Sequence, residues 1–295
     1  MRVSVGNEPL SKMFGDEKAF ELLGQIGFEA IDVRIHTGWM GDMREDYVSQ
    51  CGKLKQIAKA NNIVAGQLHA PDPSYVNGDS EKTQKMFEAI VRSIDAARIL
   101  EAPYVVVHPP IPVEYKYNDY KAETKEISMD FYGRLLPYAK ESGVKIAIEN
   151  MWNYDKMRKR ICPTVCSTAE EMADYVDTLG QEWFCACLDL GHSLLTYERP
   201  EDAIRLLGER LKVVHIHDVD GIDDLHTIPY LGACNWDACC QAFADIGYTG
   251  DINFETAGFL KRFPQELTVA AHQFALVVAK HLRDKILAIS EKNNY

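Results

Sequence analysis

Three of the chain's nine histidines, His215, His217 and His226, fall within twelve residues of one stretch, LKVVHIHDVDGIDDLHTIPYLGACNW, running from Leu211 to Trp236. Asp218, Asp220, Asp223 and Asp224 lie among them. Imidazole nitrogens and carboxylate oxygens are the donor types of a divalent-cation centre. The same types recur along the chain: His69 in QLHAP, His108 in VVVHPP, Glu149 in IAIENMW, Asp189 in CLDLGH, His215 in VVHIHD and Glu255 in INFETAG. Each closes a short β-rich run, and the gaps of 39, 41, 40, 26 and 40 residues each suit one strand–helix unit.

Taken singly, a His or Glu at a strand end is an ordinary rim residue. Six in register are a different matter. Carboxylates crowded at one barrel mouth repel each other and raise each other's pKa, and a divalent cation removes that repulsion. The mixed nitrogen and oxygen set suits Mn²⁺, Co²⁺, Zn²⁺ or Mg²⁺. The eight cysteines form no CxxC pair and none stands at a comparable strand end, so a thiolate-rich zinc site is not expected.

The elements that must position these groups alternate along the whole chain. Strands are expected at Val3–Gly6, Ala30–Ile35, Val64–His69, Tyr104–His108, Lys145–Glu149, Phe184–Asp189, Val213–His217 and Asp251–Glu255. Between them, Ser167-Thr168-Ala169-Glu170 has capping-box spacing, and Pro200 suits the first turn of a helix. Phe87, Ile90, Val91, Ile94, Ala97 and Ile99 form one apolar helical stripe. Ala270, Phe274, Val277, Val278 and Leu282 form another. Both are read as core packing. Eight strand-then-helix units predict an α/β fold, a single (β/α)8 TIM barrel over residues 1–295. An open dinucleotide-binding sheet is disfavoured, because Val5-Gly6-Asn7-Glu8-Pro9 is no Gly-rich turn and neither GxGxxG nor a Walker loop occurs. In such a barrel all strand C-termini open on one face, where the six groups converge. Side chains two apart share a strand face, so His217 points with His215.

The net charge of −12 gives no global basic field, which counts against nucleic acid as a partner. The N-terminus shows no apolar signal segment and no run is long enough to span a bilayer, so no membrane partner and a cytoplasmic protein with reduced thiols are expected. Apolar surface on the outer helices would allow a homo-oligomer.

At Ile148-Glu149-Asn150, Leu188-Asp189-Leu190-Gly191-His192, Val214-His215-Ile216-His217-Asp218 and Asn253-Phe254-Glu255 the chain resembles the xylose-isomerase-like TIM barrels, also called sugar phosphate isomerases/epimerases. That superfamily includes ketohexose 3-epimerases, inosose dehydratases and endonuclease IV. The resemblance covers nearly the whole chain and specifies the superfamily, not a substrate. From the epimerase branch it implies one divalent metal on Glu149, Asp189, His215 and Glu255. From the endonuclease branch it implies additional ligands at His69, His108, His192, Asp224 and His226. His217 is then an inward-facing neighbour of the ligands. One departure stands out: the ketohexose epimerases place an Arg a few residues beyond the HxH strand, whereas no Arg occurs here between Leu211 and Lys261.

The function this implies is a metal-dependent isomerase or epimerase acting on a ketose, sugar acid or polyol. The reaction would pass through a metal-bound enediolate, with Glu149 and Glu255 as acid/base catalysts and His192 on a substrate oxygen. An inosose-type dehydratase could share the first step. A multi-zinc phosphodiesterase resembling endonuclease IV is the hydrolytic alternative, motivated by the full ligand set. Trp39 and Trp152 are candidate platforms for the small-molecule carbohydrate, as are Tyr115, Tyr117 and Tyr120. Lys156, Arg158, Lys159 and Arg160 in DKMRKR are a candidate anion-holding cluster on the catalytic side.

Overall fold

The computed structural model describes residues 1–34, 47–112 and 116–293. Its strands are β1 (Val3–Gly6), β2 (Ala30–Val33), β3 (Val64–His69), β4 (Tyr104–Val107), β5 (Lys145–Glu149), β6 (Trp152–Asp155), β7 (Arg160–Pro163), β8 (Phe184–Asp189), β9 (Leu211–His215) and β10 (Ile252–Phe254). Eight of them form one parallel sheet in the order β10-β1-β2-β3-β4-β5-β8-β9. The two edges meet just past β9 and β10. There Ile216 N donates to Asn253 O (2.8 Å) and Glu255 N donates to Ile216 O (3.1 Å). The sheet thus closes into the expected TIM barrel, with helices around it.

Strand alternation explains both the core and the site. Val105, Val107, Ile146, Ile148, Leu188 and Val214 face outward into the main core shared with the helices. Val106, Ala147, Cys185, Cys187 and Val213 form a separate cluster inside the barrel. Full burial of each larger aliphatic side chain contributes about 1.5–3 kcal/mol. His108, Glu149, Asp189 and His215 stand two residues beyond Val106, Ala147, Cys187 and Val213. The alternation that fills the barrel therefore also delivers these side chains to its mouth.

β1, β3, β5 and β8 have the expected bounds, β2, β4 and β10 are shorter, and β9 lies two residues earlier than expected. β2 ends at Val33, β4 at Val107, β9 at His215 and β10 at Phe254, so His108, His217 and Glu255 sit one or two residues past the ladders. At the mouth the backbone leaves the sheet to pair within loops: Asp218 and Thr227 exchange hydrogen bonds of 2.9 and 3.1 Å. Another departure is a hairpin. The antiparallel pair β6–β7 follows Glu149, and Lys156, Arg158 and Lys159 lie in its turn, with Arg160 opening the return strand. Asp155 Oδ1 closes that turn by accepting from Met157 N and Arg158 N, both at 2.9 Å.

Helix signals held with adjustments. Asp79 caps the helix Ser80–Leu100, accepting from Lys82 N at 2.9 Å, and Phe87, Ile90, Ile94 and Ala97 are buried as expected. The cap of the helix Ala169–Leu179 is Thr168, not Ser167; Thr168 Oγ1 accepts from Glu171 N (3.3 Å), while Ser167 Oγ is tied to Thr164. Pro200 opens the helix Pro200–Leu207. The stripe in the helix Gln265–Asn293 is corrected. Its inner face is Thr268, Ala271, His272, Ala275, Val278, Ala279 and Leu282, whereas Phe274 is 51% and Val277 64% exposed. Ala271, Ala275 and Ala279 fall on that inner face, so the helical phase and not side-chain size sets which residues are buried. Among the described residues no helix is long and apolar enough to cross a membrane.

Candidate metal centre

The strand-end groups converge. Nδ1 of the fully buried His215 lies 3.0 Å from Glu149 Oε1, 3.0 Å from Glu255 Oε2 and 3.9 Å from Asp189 Oδ2. Ligand atoms of Glu149, Asp189, His215 and Glu255 all lie within 4.8 Å of one another. Gln67, two residues before the end of β3, abuts His215 Nε2 at 3.0 Å. The amide nitrogen is the contacting atom and donates to Nε2, so the ring proton sits on Nδ1 facing Glu149 Oε1; turning the amide over would move that proton to Nε2 and free Nδ1 for a cation. Asp189 divides its duties. It accepts from His192 N (2.8 Å), capping the short helix Leu190–Leu195, and it meets His217 Nε2 at 2.9 Å. Asn150 stitches the ends of β5 and β8 together, donating to Asp189 O (2.9 Å) and accepting from Asp189 N (2.6 Å).

Two further ligand groups flank this centre. On one side, Glu149 Oε2 lies 3.1 Å from His108 Nε2 and 3.3 Å from His69 Nε2. On the other, Asp224 Oδ2 lies 3.1 Å from His226 Nε2 and 3.5 Å from His192 Nε2. Three of these imidazoles share one arrangement. Nδ1 of His69 is bonded to Ala70 O (2.8 Å), that of His192 to Asn150 O (2.8 Å) and that of His226 to Glu255 O (2.9 Å). A carbonyl can only accept, so each Nδ1 carries the proton and each neutral ring turns a bare Nε2 toward a carboxylate.

Acceptor facing acceptor across about 3 Å needs a proton or a cation between them. Glu149 Oε2, His69 Nε2, Glu255 Oε2 and Asp224 Oδ1 are buried without a hydrogen-bond partner, and each is a donor atom suited to a divalent cation. In the absence of a cation, protons take its place. Burial opposes charge on His192, but Asp189, Asp224 and Glu149 outweigh it and raise the ring to about 10. Burial likewise opposes charge on His226, yet Glu255 and Asp224 raise it to about 9. Against the same burial penalty, His215 and His108 hold Glu149 well below the usual carboxylate range, and His215 and Arg34 do so for Glu255. The donor set therefore fits a divalent cation.

A family model for xylose isomerase-like TIM barrels matches residues 20–274. The chain belongs to that family. Within it, the chain is 30% identical to the uncharacterized protein y4fM of Sinorhizobium fredii over 288 residues, 86% of each chain. It is 27% identical over 245 residues to a D-psicose 3-epimerase of Enterocloster bolteae, covering 80% of this chain and 75% of the relative. The fold matches the crystal structure of a D-tagatose 3-epimerase-like protein with a TM-score of 0.75 at 21% identity, over 99% of both chains. It matches the IOLI protein, solved with a bound zinc atom, with a TM-score of 0.72 at 21% identity, again over 99% of both.

The family's strand ends open here into a cleft of about 590 Å³, walled by Glu149, His108, His192, Asp224, His226 and Glu255 on the ligand side. Asp224 and His226 come from the loop after β9, which Asp218 organises. That buried carboxylate accepts from Tyr230 N (3.1 Å), Cys234 N (3.0 Å) and Trp236 Nε1 (2.8 Å). Of the four aspartates in the stretch, Asp224 alone lines the cleft. Gly258 makes room for this loop, since a Cβ there would strike the Leu225 carbonyl oxygen. Gly191 does the same for the His217 ring, which stacks on His226 at 4.0 Å.

Trp152 lines the cleft, but its indole Nε1 donates to Asp224 Oδ2 (3.2 Å), so it holds a ligand-type residue as well as offering a ring face. Trp39 and Tyr115 lie outside the described residues. Tyr117 is buried, its hydroxyl bonded to Glu171, and is no platform. The hairpin cations Lys156, Arg158, Lys159 and Arg160 are not among the cleft-lining residues. Instead the cleft takes its positive charge from Arg34 and Lys261, which the sequence reading missed. Arg34 follows β2 and donates to Glu255 Oε1. Its signal was its place two residues beyond Asp32, on the inward face of that strand.

Proposed function

We propose that this chain, read as one barrel domain over residues 1–295, is a divalent-metal-dependent isomerase or epimerase acting on a carbohydrate. One observation supports it above others: His69 Nε2 and carboxylate oxygens of Glu149, Glu255 and Asp224 are buried without a hydrogen-bond partner at or beside the Glu149–Asp189–His215–Glu255 cluster. Mn²⁺, Co²⁺, Zn²⁺ or Mg²⁺ suits that set, and the zinc of the IOLI protein is consistent with it. The bound cation supplies a Lewis acid for a carbonyl and a neighbouring hydroxyl.

The chain's own residues do the rest. Glu149 and Glu255 approach His215 from different strands, each with an oxygen 3.0 Å from Nδ1. Coming from different strands, one would take the C–H proton beside the carbonyl and the other would return a proton. His192 and His226 line the cleft and, in the protonated form that their neighbouring carboxylates favour, would offer Nε2–H to oxygens on which enediolate charge develops. Trp152 closes one side of the cleft and limits water. An inosose-type dehydratase would use the same first proton transfer and then expel a β-hydroxyl.

The test is elemental analysis before and after chelation, followed by proton NMR in D₂O with ketoses, sugar acids and inosose-type polyols. About one ion per chain and deuterium entering next to a carbonyl are expected. Metal-free protein with no exchange across the panel would overturn the reading. The second reading is a multi-zinc phosphodiesterase. It is favoured by the side groups His69–Asp72–His108 and His192–His217–Asp224–His226, which add ligand sets beside the first. About three zinc ions per chain and cleavage of a phosphodiester would select it.

A further inference from the structure

The cleft is electrically lopsided. Its ligand side is acidic and histidine-rich, whereas the wall formed by the ends of β2 and β10 carries Arg34 and Lys261. Arg34 has five N–H donors, and among the described residues its side chain donates to Glu255. The Arg34 side chain is 26% exposed and lines the cleft. Lys261 Nζ lies 3.2 Å from Glu8 Oε1, with its side chain 43% exposed. Lys12 shares the same Glu8 oxygen. Burial works against Glu8's charge, but Lys12 and Lys261 hold it at about 2, so it stays ionised. One carboxylate thus serves two ammonium groups, and Glu255, which serves Arg34, is also a candidate metal ligand. Among the described residues lining this wall, Arg34 and Lys261 meet two carboxylates that are both shared: Glu8 also pairs with Lys12, and the metal centre would also engage Glu255.

We propose that the substrate carries an anionic carboxylate or phosphate group, received by Arg34 and Lys261 on the Glu255 side of the cleft. A guanidinium fork and a rim ammonium are the donors that recognise such oxygens in a partly buried site. The hairpin cations do not compete for it, because they lie outside the cleft lining. This rests on the metal-dependent isomerase/epimerase reading for the chemistry at the metal centre. It narrows the substrate from carbohydrates in general to sugar acids or sugar phosphates, in contrast to the neutral ketohexose named for the D-psicose 3-epimerase relative.

The test is calorimetric binding to the Mn²⁺-loaded full chain with D-fructose, D-fructose 6-phosphate and 5-keto-D-gluconate as probes. Inorganic phosphate is titrated in parallel into chelated protein. At least one anionic probe should bind about tenfold or more tightly than D-fructose. Lys261→Gln and Arg34→Gln should each remove that advantage, while Lys261→Gln still binds Mn²⁺ normally. A tighter keto acid identifies a carboxylate and a tighter sugar phosphate identifies a phosphate; either supports the proposal. Equal affinity for neutral and anionic probes, with Mn²⁺ bound, overturns it and leaves the metal reading intact. Loss of Mn²⁺ binding in the wild type would sink the metal reading instead. The phosphate titration would then still decide for or against the anion site.

Discussion

Glu149→Gln tests the centre most directly, because Glu149 touches three imidazoles and is buried to 1% exposure. Gln is isosteric, so the barrel should fold. What changes is one charged ligand. At a metal concentration about 100 times Kd, binding stabilises the native state by about 2.7 kcal/mol. For 295 residues the unfolding entropy near the midpoint is about 0.6 kcal/mol/K, so the wild-type Tm should rise by about 4 °C on adding metal. Losing one charge-assisted contact costs about 1.5–3 kcal/mol, roughly 10–100-fold in Kd. At the same metal concentration the gain then falls to about 0.4–1.4 kcal/mol, a shift of about 1–2 °C. The assay is a thermal melt followed by far-UV circular dichroism, with and without Mn²⁺ or Zn²⁺, after chelation. A folded Glu149→Gln protein that keeps the full wild-type shift would refute a ligand role for this residue.

Gly258→Ala should displace the loop bearing Asp224 and His226, because the new methyl would meet the Leu225 carbonyl; a loss of about 1–3 kcal/mol and faster amide exchange over residues 222–228 are expected, and unchanged exchange would show that the loop does not depend on this packing. Acid stability should track Glu8, whose pKa is lowered from 4.5 to about 2: its ionised form contributes stability above about pH 4.5 that is lost as pH falls through 2, so Glu8→Gln should flatten the acid limb of a stability–pH curve, measured by urea unfolding from pH 6 to pH 2. Trp152→Phe keeps the ring face but removes the hydrogen bond to Asp224 Oδ2, and should weaken metal binding at the His192–Asp224–His226 group by about 1 kcal/mol; identical titrations for variant and wild type would confine Trp152 to packing.

Much of this molecule is legible in its sequence for a simple reason. A parallel barrel repeats one local unit, so each apolar run ending in His, Glu or Asp reports both a strand and the direction of its mouth. Strand alternation, a property of the backbone, is enough to place Glu149, Asp189 and His215 together once the sheet closes. Caps were legible to within a residue, because Ser167 and Thr168 offer equivalent hydroxyls and only the loop geometry chooses between them. The outer helix misled, since Phe274 and Val277 are apolar but exposed, while Ala271, Ala275 and Ala279 fall on the inner face.

Other features belong to the tertiary structure alone. The sequence does not reveal that Nδ1 of His69, His192 and His226 would be tied to carbonyls, because those oxygens arrive from backbone whose direction is set by packing. Nor does it couple Arg34 to Glu255, which stand 221 residues apart just beyond β2 and just beyond β10, strands that both pair with β1. The residue types and their periodic spacing determined which groups could meet; barrel closure and loop docking decided which atoms face one another.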